Sequence, residues 1–168
     1  MTLSSVTLEV AGLAVAVPVP GGAEFSDLEG LPEGEASASW SPGPGQGAFM
    51  VSTGAGSGHT ADGLVAGERE RSDAVEVLHD ELVAGPAGPA RRIVLRSRRR
   101  ERRSWEQREG GRPAEVPEHD VEEELAFLFA DGPGGAWLRV GYRVPTDAPA
   151  GILALLRRMF DETQLQAA

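Results

Sequence analysis

The last quarter of the chain carries the clearest pattern of apolar and polar positions. Leu125, Phe127 and Phe129 alternate there with Ala126, Leu128 and Ala130. Two apolar sets of this kind are typical of a strand that is buried on both faces. Residues 131–135 are rich in glycine and proline and favour a turn. In residues 137–144, large apolar side chains then alternate with a second set that includes Arg139 and Arg143. The pattern predicts a β-hairpin whose first strand is central in a sheet.

An amphipathic helix is predicted after the hairpin. Pro145 ends the second strand, and Thr146 or Asp147 can cap a helix that tolerates Pro149 in its first turn. Its apolar residues follow the i, i+3, i+4, i+7 spacing of a stripe packed on a sheet, and they are Ile152, Leu155, Leu156, Met159 and Phe160. We interpret this stripe as core.

The rest of the pattern predicts shorter elements. These are two strands within residues 6–19, a strand pair at 37–40 and 48–53, a helix at 60–72 with Ala61, Leu64 and Val65 on its apolar face, and a strand at 91–97. Residues 75–83 fit a helix through Val75, Leu78 and Leu82 and a strand through Val75, Val77 and Val83, so both remain open. Residues 98–120 are polar and predict a long, partly mobile loop.

Together these elements predict one α+β domain over residues 1–168. We expect an antiparallel β-sheet flanked by helices, an α/β/α sandwich, with the C-terminal amphipathic helix packed on the sheet. The chain of 168 residues is long enough to bury the core of one domain.

Composition narrows the classes of protein to consider. No apolar run approaches the roughly 18 residues that span a membrane, and the N-terminus lacks the basic region of a signal peptide. There is no cysteine for a disulfide or a thiolate nucleophile, so we expect a cytoplasmic protein. All 16 basic residues are arginine and 22 residues are glycine, which is typical of a GC-rich, actinobacterial-type coding bias.

Three segments carry a family resemblance. They are residues 13–18, a strand that ends in proline, residues 83–92, a turn of the form v-x-G-x-P-A-R that leads into a strand, and the hairpin and helix of residues 125–163. These segments resemble the PsbP-like family, which includes photosystem II oxygen-evolving subunits, a Ran-binding nuclear-transport protein and lipoproteins of the LpqN type. The resemblance implies a small non-catalytic domain that binds or stabilises protein partners. The lipobox cysteine of the lipoproteins is absent here, so no membrane anchor is implied.

Residues 53–60 form a glycine-rich link that is similar to a phosphate-binding loop. A strand is predicted before it and a helix after it, and the N-terminus of a helix can hold an anion. However, Thr53 and His59 stand where the Walker pattern needs glycine and lysine. We interpret the link as a flexible turn, with Ser57 or Thr60 as the helix cap.

No residue pattern predicts catalysis or metal binding. His59, His79 and His119 are scattered, and no spacing typical of metal ligands joins them. No G-x-S-x-G motif marks a serine nucleophile. The acidic run of residues 122–124 could supply paired carboxylates, but such a run before a strand usually forms a solvated loop end. We therefore expect no enzyme activity, no cofactor and no metal.

The charge layout is the unusual feature. Eight of the 16 arginines lie between Arg91 and Arg103, opposed there only by Glu101, in a chain of net charge −10. Three interpretations remain open: a solvated strand and loop, a surface that docks on an acidic protein, or an anion or nucleic-acid site. Residues 115–124 are acidic and could neutralise the arginines across adjacent strands. The candidate partner-binding residues are Arg98, Arg99, Arg100, Arg102, Arg103 and Trp105.

The sequence therefore favours a non-catalytic protein-binding domain. It would act as an adaptor, a chaperone-like factor or a subunit of a larger assembly, with a protein partner. The alternative is an anion or nucleic-acid binder that works through the basic segment 91–103, although the low isoelectric point disfavours nucleic acid as a partner. The oligomeric state is not predicted.

Overall fold

Antiparallel β-strands make up most of the protein. The structure is a computed structural model, and it describes residues 2–10, 12–55, 60–102, 108–109, 112–113 and 118–168. Its elements are β1 (Leu3–Val10), β2 (Leu13–Pro20), β3 (Ser26–Asp27), β4 (Ala36–Trp40), β5 (Ala48–Ala55), α1 (Ala61–Arg71), β6 (Ala74–Gly85), β7 (Gly88–Arg102), β8 (Arg108–Glu109), β9 (Arg112–Pro113), β10 (Glu118–Asp131), β11 (Ala136–Pro145), α2 (Ala150–Asp161) and β12 (Gln164–Ala167).

Two sheets form the body of the described structure. The large sheet has seven strands in the order β3-β4-β5-β11-β10-β7-β6, and the small sheet has three in the order β1-β2-β12. Every neighbouring pair in both sheets is antiparallel. Strands β8 and β9 form a separate two-stranded ladder. Strand β10 therefore lies inside the large sheet, between β11 and β7.

One face of the large sheet is covered by the small sheet and α2. Alternate residues of β2 are fully buried, because a strand points every second side chain to the same side. They pack with the buried stripe of α2 against the apolar side chains of β11. The residues that meet in this core are Leu13, Val15, Val17, Val19, Leu138, Val140, Tyr142, Val144, Leu156, Met159 and Phe160. We call this side the α2 face.

Helix α1 covers the opposite face. Thr60 caps it by accepting a hydrogen bond from the backbone N–H of Gly63 at 3.0 Å. Ala61 and Val65 are buried, and they pack against Ile93, Leu95, Leu125 and Phe127 of the central strands. We call this side the α1 face.

The expected α/β/α sandwich and α+β class are wrong. Strands hold more than half of the described residues and helices less than a fifth, so the fold is mostly β. The α2 face is closed by a second sheet together with a helix, and not by a helical layer. The alternation over residues 13–19 predicted a strand correctly, but alternation does not say which sheet a strand joins.

Several predictions of individual helices and strands are correct. The hairpin is confirmed, since β10 and β11 pair along their length, and the helix at 60–72 is confirmed as α1. Residues 75–83 resolve into strand β6. The cap of α2 was predicted wrongly, because the helix begins after Pro149 and no side chain caps it. Strand β12 was not predicted at all, and it joins the chain end to β2.

We predict that Leu156→Ala destabilises the protein by about 2–5 kcal/mol, because Leu156 is fully buried and its truncation leaves a cavity. Chemical denaturation measures the change in the free energy of unfolding. Leu82→Ala is the matched control, since Leu82 is 74% exposed and its loss should change stability by no more than about 0.5 kcal/mol. Equal stability of Leu156→Ala and the parent would show that α2 is not packed as described.

Candidate functional site

The arginine segment lies on a strand where a loop was expected. Arg98, Arg99 and Arg100 belong to β7, and Arg102 ends that strand by pairing with Glu118 of β10. Arg103 and Trp105 lie outside the described residues. The loop predicted for residues 98–120 is therefore wrong at both ends, which are strands, and residues 108–109 pair with 112–113.

Acidic residues of β10 face the arginines of β7. The register places Arg98 opposite Glu122 and Arg100 opposite Asp120, where Arg100 Nε lies 3.4 Å from the carboxylate. Opposite charges placed directly across two strands attract one another. The predicted neutralisation across adjacent strands is thus confirmed for Arg100 and Asp120, because the antiparallel return of the chain brings the acidic run beside the basic one.

A chain of ion pairs extends beneath α1. Arg99 Nη1 and Arg143 Nη1 donate to Glu123 at 2.8 and 2.7 Å, and Arg143 Nη2 also donates to Glu68. Glu68 is 1% exposed and follows Ala61, Leu64 and Val65 on the buried side of the helix. Burial alone would raise the pKa of Glu123, but the bonds from Arg99 and Arg143 outweigh it and hold the pKa below its ordinary value.

A second buried carboxylate lies on the α2 face. Glu124 is 2% exposed, and it accepts hydrogen bonds from Arg157 Nε at 2.8 Å and from the Tyr142 hydroxyl at 2.7 Å. The Arg157 bond, helped by the Tyr142 bond, lowers the pKa of Glu124. Burial and the neighbouring carboxylate raise the pKa of Tyr142. The cluster ties α2 to the large sheet.

These positions correct the interpretation of residues 122–124 as a solvated loop end. All three lie within β10, and Glu123 and Glu124 are buried. The side chains of Glu123 and Glu124 point to opposite faces of the sheet because successive side chains of a strand alternate. Each pairs with its own arginines, so the two carboxylates do not share one site. A usable signal for Glu68 was present in the sequence, since it continues the i, i+3, i+4, i+7 spacing of the α1 stripe.

The first arginines of the basic segment are also paired. Arg91 donates to Asp80 at 2.8 and 2.9 Å and to Asp62 at 2.9 Å, and the bond from Arg91 lowers the pKa of Asp80. Arg92 donates to Asp161 and stacks over the Phe160 ring, 4.8 Å from its centre. Four of the eight arginines of the basic segment, Arg91, Arg92, Arg99 and Arg100, therefore contact carboxylates of the protein itself.

The other candidate chemistry stays dispersed. His79 lies on β6 with its Nε2 3.0 Å from Glu81, His119 lies on β10, and His59 is outside the described residues. Within the described ranges no cluster of three or more His, Asp or Glu side chains is arranged to hold a metal ion. The glycine-rich link is described only as far as Ala55 and from Thr60. Gly54 belongs to β5, where the Trp137 indole leaves no room for a Cβ atom.

The exposed sheet edge formed by β6 is the feature that sequence reasoning missed, because the sequence pattern allows a strand at residues 75–83 but does not predict its place in a sheet. Strand β6 is the outermost strand of the large sheet, and no described strand pairs with its outer side. Three large apolar side chains on it are exposed, and they are Val77, Leu78 and Leu82. A β-bulge at Leu78 interrupts the register with β7, so residues 79–85 form an uninterrupted run. We call residues 74–85 the β6 edge.

Three hollows border the β6 edge. One, of about 310 Å³, lies on the α1 face between α1 and the middle of the strand, beside Val77 and Asp80. The other two lie at either end of the strand, with volumes of about 250 Å³ beside Glu76 and about 180 Å³ beside Val83. An open strand with hollows along it is the geometry in which an added strand finds both backbone partners and space for side chains.

We predict that Arg157→Gln moves the loss of stability to higher pH. The folded pKa of Glu124 lies below its ordinary value of 4.5, so its contribution to stability is present above that value and is lost as the pH falls through the lowered pKa. Without Arg157 the buried carboxylate keeps only the Tyr142 bond, and its pKa rises.

Urea unfolding between about pH 7 and pH 3 measures the shift. Arg158→Gln is the matched control, because Arg158 is exposed and pairs with the exposed Glu162. Its profile should follow that of the parent. A profile for Arg157→Gln that superimposes on the parent would remove the proposed role of the pair.

Comparison with protein-family models and with curated proteins identifies no relative of this chain. No protein-family model matches the chain, and no curated protein matches it. These results neither support nor refute the resemblance to the PsbP-like family, which stays a prediction from the sequence. No helix in the described part of the chain is long and apolar enough to cross a membrane.

Proposed function

We propose that this chain is a non-catalytic protein-binding domain that acts as an adaptor, a chaperone-like factor or a subunit of a larger assembly. The observation that carries the proposal is the β6 edge, a strand of 12 residues on which Leu82 is 74% exposed. An edge strand presents unpaired backbone N–H and C=O groups, and these can pair with an extended segment of another protein. The cytoplasmic location expected from the sequence is kept as part of the proposal.

The contrast between the two edges of the large sheet supports this choice. The opposite edge is β3, which has only two residues. Very short edge strands are a common protection against unwanted pairing. Strand β6 keeps the run of residues 79–85 beyond its bulge, and this run is long enough to pair with a short partner strand. Val77, Leu78 and Leu82 together expose apolar surface along this strand, and an exposed apolar patch is typical of a binding surface.

The pairing of the arginines supports a protein partner over nucleic acid. A site for nucleic acid needs cations available to neutralise phosphates. Here Arg91, Arg92, Arg99 and Arg100 each contact a carboxylate of the protein. A phosphate would have to displace these carboxylates, so the basic segment is a weaker candidate than the β6 edge.

We predict that Leu82→Lys abolishes capture of the protein partner. The full-length chain and its variants are used as bait in extract of the native host, and the captured proteins are compared by mass spectrometry. Lysine on an edge strand opposes strand addition. Leu28→Lys is the matched control, because Leu28 is 47% exposed and away from β6, and it should retain the partner. A partner retained by Leu82→Lys would contradict the use of this edge.

We further predict that DNA and RNA bind no tighter than about 0.1 mM at physiological salt, the weak end of non-specific binding. Fluorescence anisotropy with labelled single strands and duplexes measures the affinity. Submicromolar binding that weakens with salt, and that is lost when Arg98 and Arg100 are changed to serine, would favour the basic segment instead. Both residues are exposed, so the double variant should still fold.

A further inference from the structure

The register with β7 sorts the side chains of the β6 edge onto two faces. Val77 pairs with Leu95 and Leu82 with Arg91, which places both apolar side chains on the α1 face. On the α2 face, Glu76 and Glu81 are in register with Arg96 and Arg92. The bulge at Leu78 lets the two acids share one face although their numbers differ by five.

The two glutamates remain available to an incoming strand. Arg92, across from Glu81, donates instead to Asp161, and Glu81 contacts only the imidazole of His79 among the described residues. Glu76 is exposed and forms no ion pair with a described residue. Asp80, in contrast, is held by Arg91. The outer side of the strand thus presents negative charge on one face and apolar surface on the other.

We propose that the β6 edge accepts an extended, basic segment of a partner protein, with lysine or arginine on the α2 face and apolar side chains on the α1 face. This inference rests on the proposed function and names the partner chemistry. Cross-strand neighbours of opposite charge attract, and apolar neighbours cover one another. An added strand of this pattern would lie beside Glu76 and Glu81 on one face and beside Val77 and Leu82 on the other.

The hollow beside Val83 lies on the α2 face, the same face as the glutamates. Leu128 and Phe160 line it together with Arg92, which donates to Asp161 in its wall. Because that carboxylate already has an arginine partner, the negative charge offered to an incoming strand comes from Glu76 and Glu81.

A second copy of the chain is a poorer occupant. A second β6 would bring another Glu76, Asp80 and Glu81 to a strand that already carries these acids, and each chain has a net charge of −10. Like charges on adjacent strands repel, and a high net charge of one sign opposes self-association. Charge complementarity therefore selects a basic partner.

Synthetic peptides of 12 residues test the proposal against the full-length chain. One alternates valine with lysine, the second has glutamate in place of lysine, and the third keeps every lysine but has proline in place of every second valine. Fluorescence anisotropy at physiological salt should show the first peptide binding at least about tenfold tighter than the other two. The proline peptide has the same charge but cannot form a continuous strand.

Charge reversal on the strand provides the matched variants. Glu76→Lys with Glu81→Lys should reverse the preference toward the glutamate peptide. Glu29→Lys with Glu33→Lys makes the same change in net charge at exposed positions away from β6, and should keep the preference of the parent. Glu76→Gln with Glu81→Gln, a milder pair, should abolish the preference without reversing it, so the proposal is tested even if the reversal variant does not fold.

The outcomes separate this inference from the proposed function. Equal binding of the lysine and glutamate peptides, both lost in Leu82→Lys, would retain strand addition but overturn the basic partner. Equal binding of the proline peptide would reduce the effect to general charge attraction and overturn the inference. If no peptide binds, the inference is also overturned. The capture experiment tests the proposed function separately. A dimer in sedimentation equilibrium that Leu82→Lys dissociates would make a second copy the occupant.

Discussion

Leu125 and Phe127 on one side of β10, and Ala126 and Leu128 on the other, leave this strand without a polar face, so both sides of the large sheet have to be covered. The two covers are different. The small sheet and α2 close one face, and α1 closes the other. Because apolar burial is the main driving force of folding, a central strand that is apolar on both sides favours a fold with a core on each face of the sheet.

The carboxylates of the interior depend on the same strand. Glu123 and Glu124 leave β10 on opposite faces, and each lies where a covering helix meets the sheet. A buried carboxylate is costly unless it is paired and hydrogen-bonded. Arg143 and Arg157 meet that need and at the same time tie α1 and α2 to the sheet. A large part of the unusual charge of the chain therefore has a structural use.

At the β6 edge the large sheet ends, and no described strand pairs with the outer side of β6. The bulge at Leu78 and the acids at 76, 80 and 81 limit pairing with arbitrary strands, and the exposed leucine at 82 favours pairing with a suitable one. The same strand thus combines protection with a potential for recognition. This combination is what the proposed recognition of a basic partner segment requires.

Periodicity in the sequence determined the local elements: the hairpin around residues 131–135, the α1 helix and the buried stripe of α2 were all predicted from it, because repeats of 2 and 3.6 residues report which side chains share a face. Tertiary structure decided the rest. The alternation over residues 13–19 predicts a strand, but it does not predict which sheet the strand joins. Strand β12 is too short to show a period, and residues 75–83 fitted the periods of a helix and of a strand equally. The burial of Glu123 and Glu124 and the exposure of β6 depend on which strands are neighbours, and that order arises from packing between segments far apart in the chain.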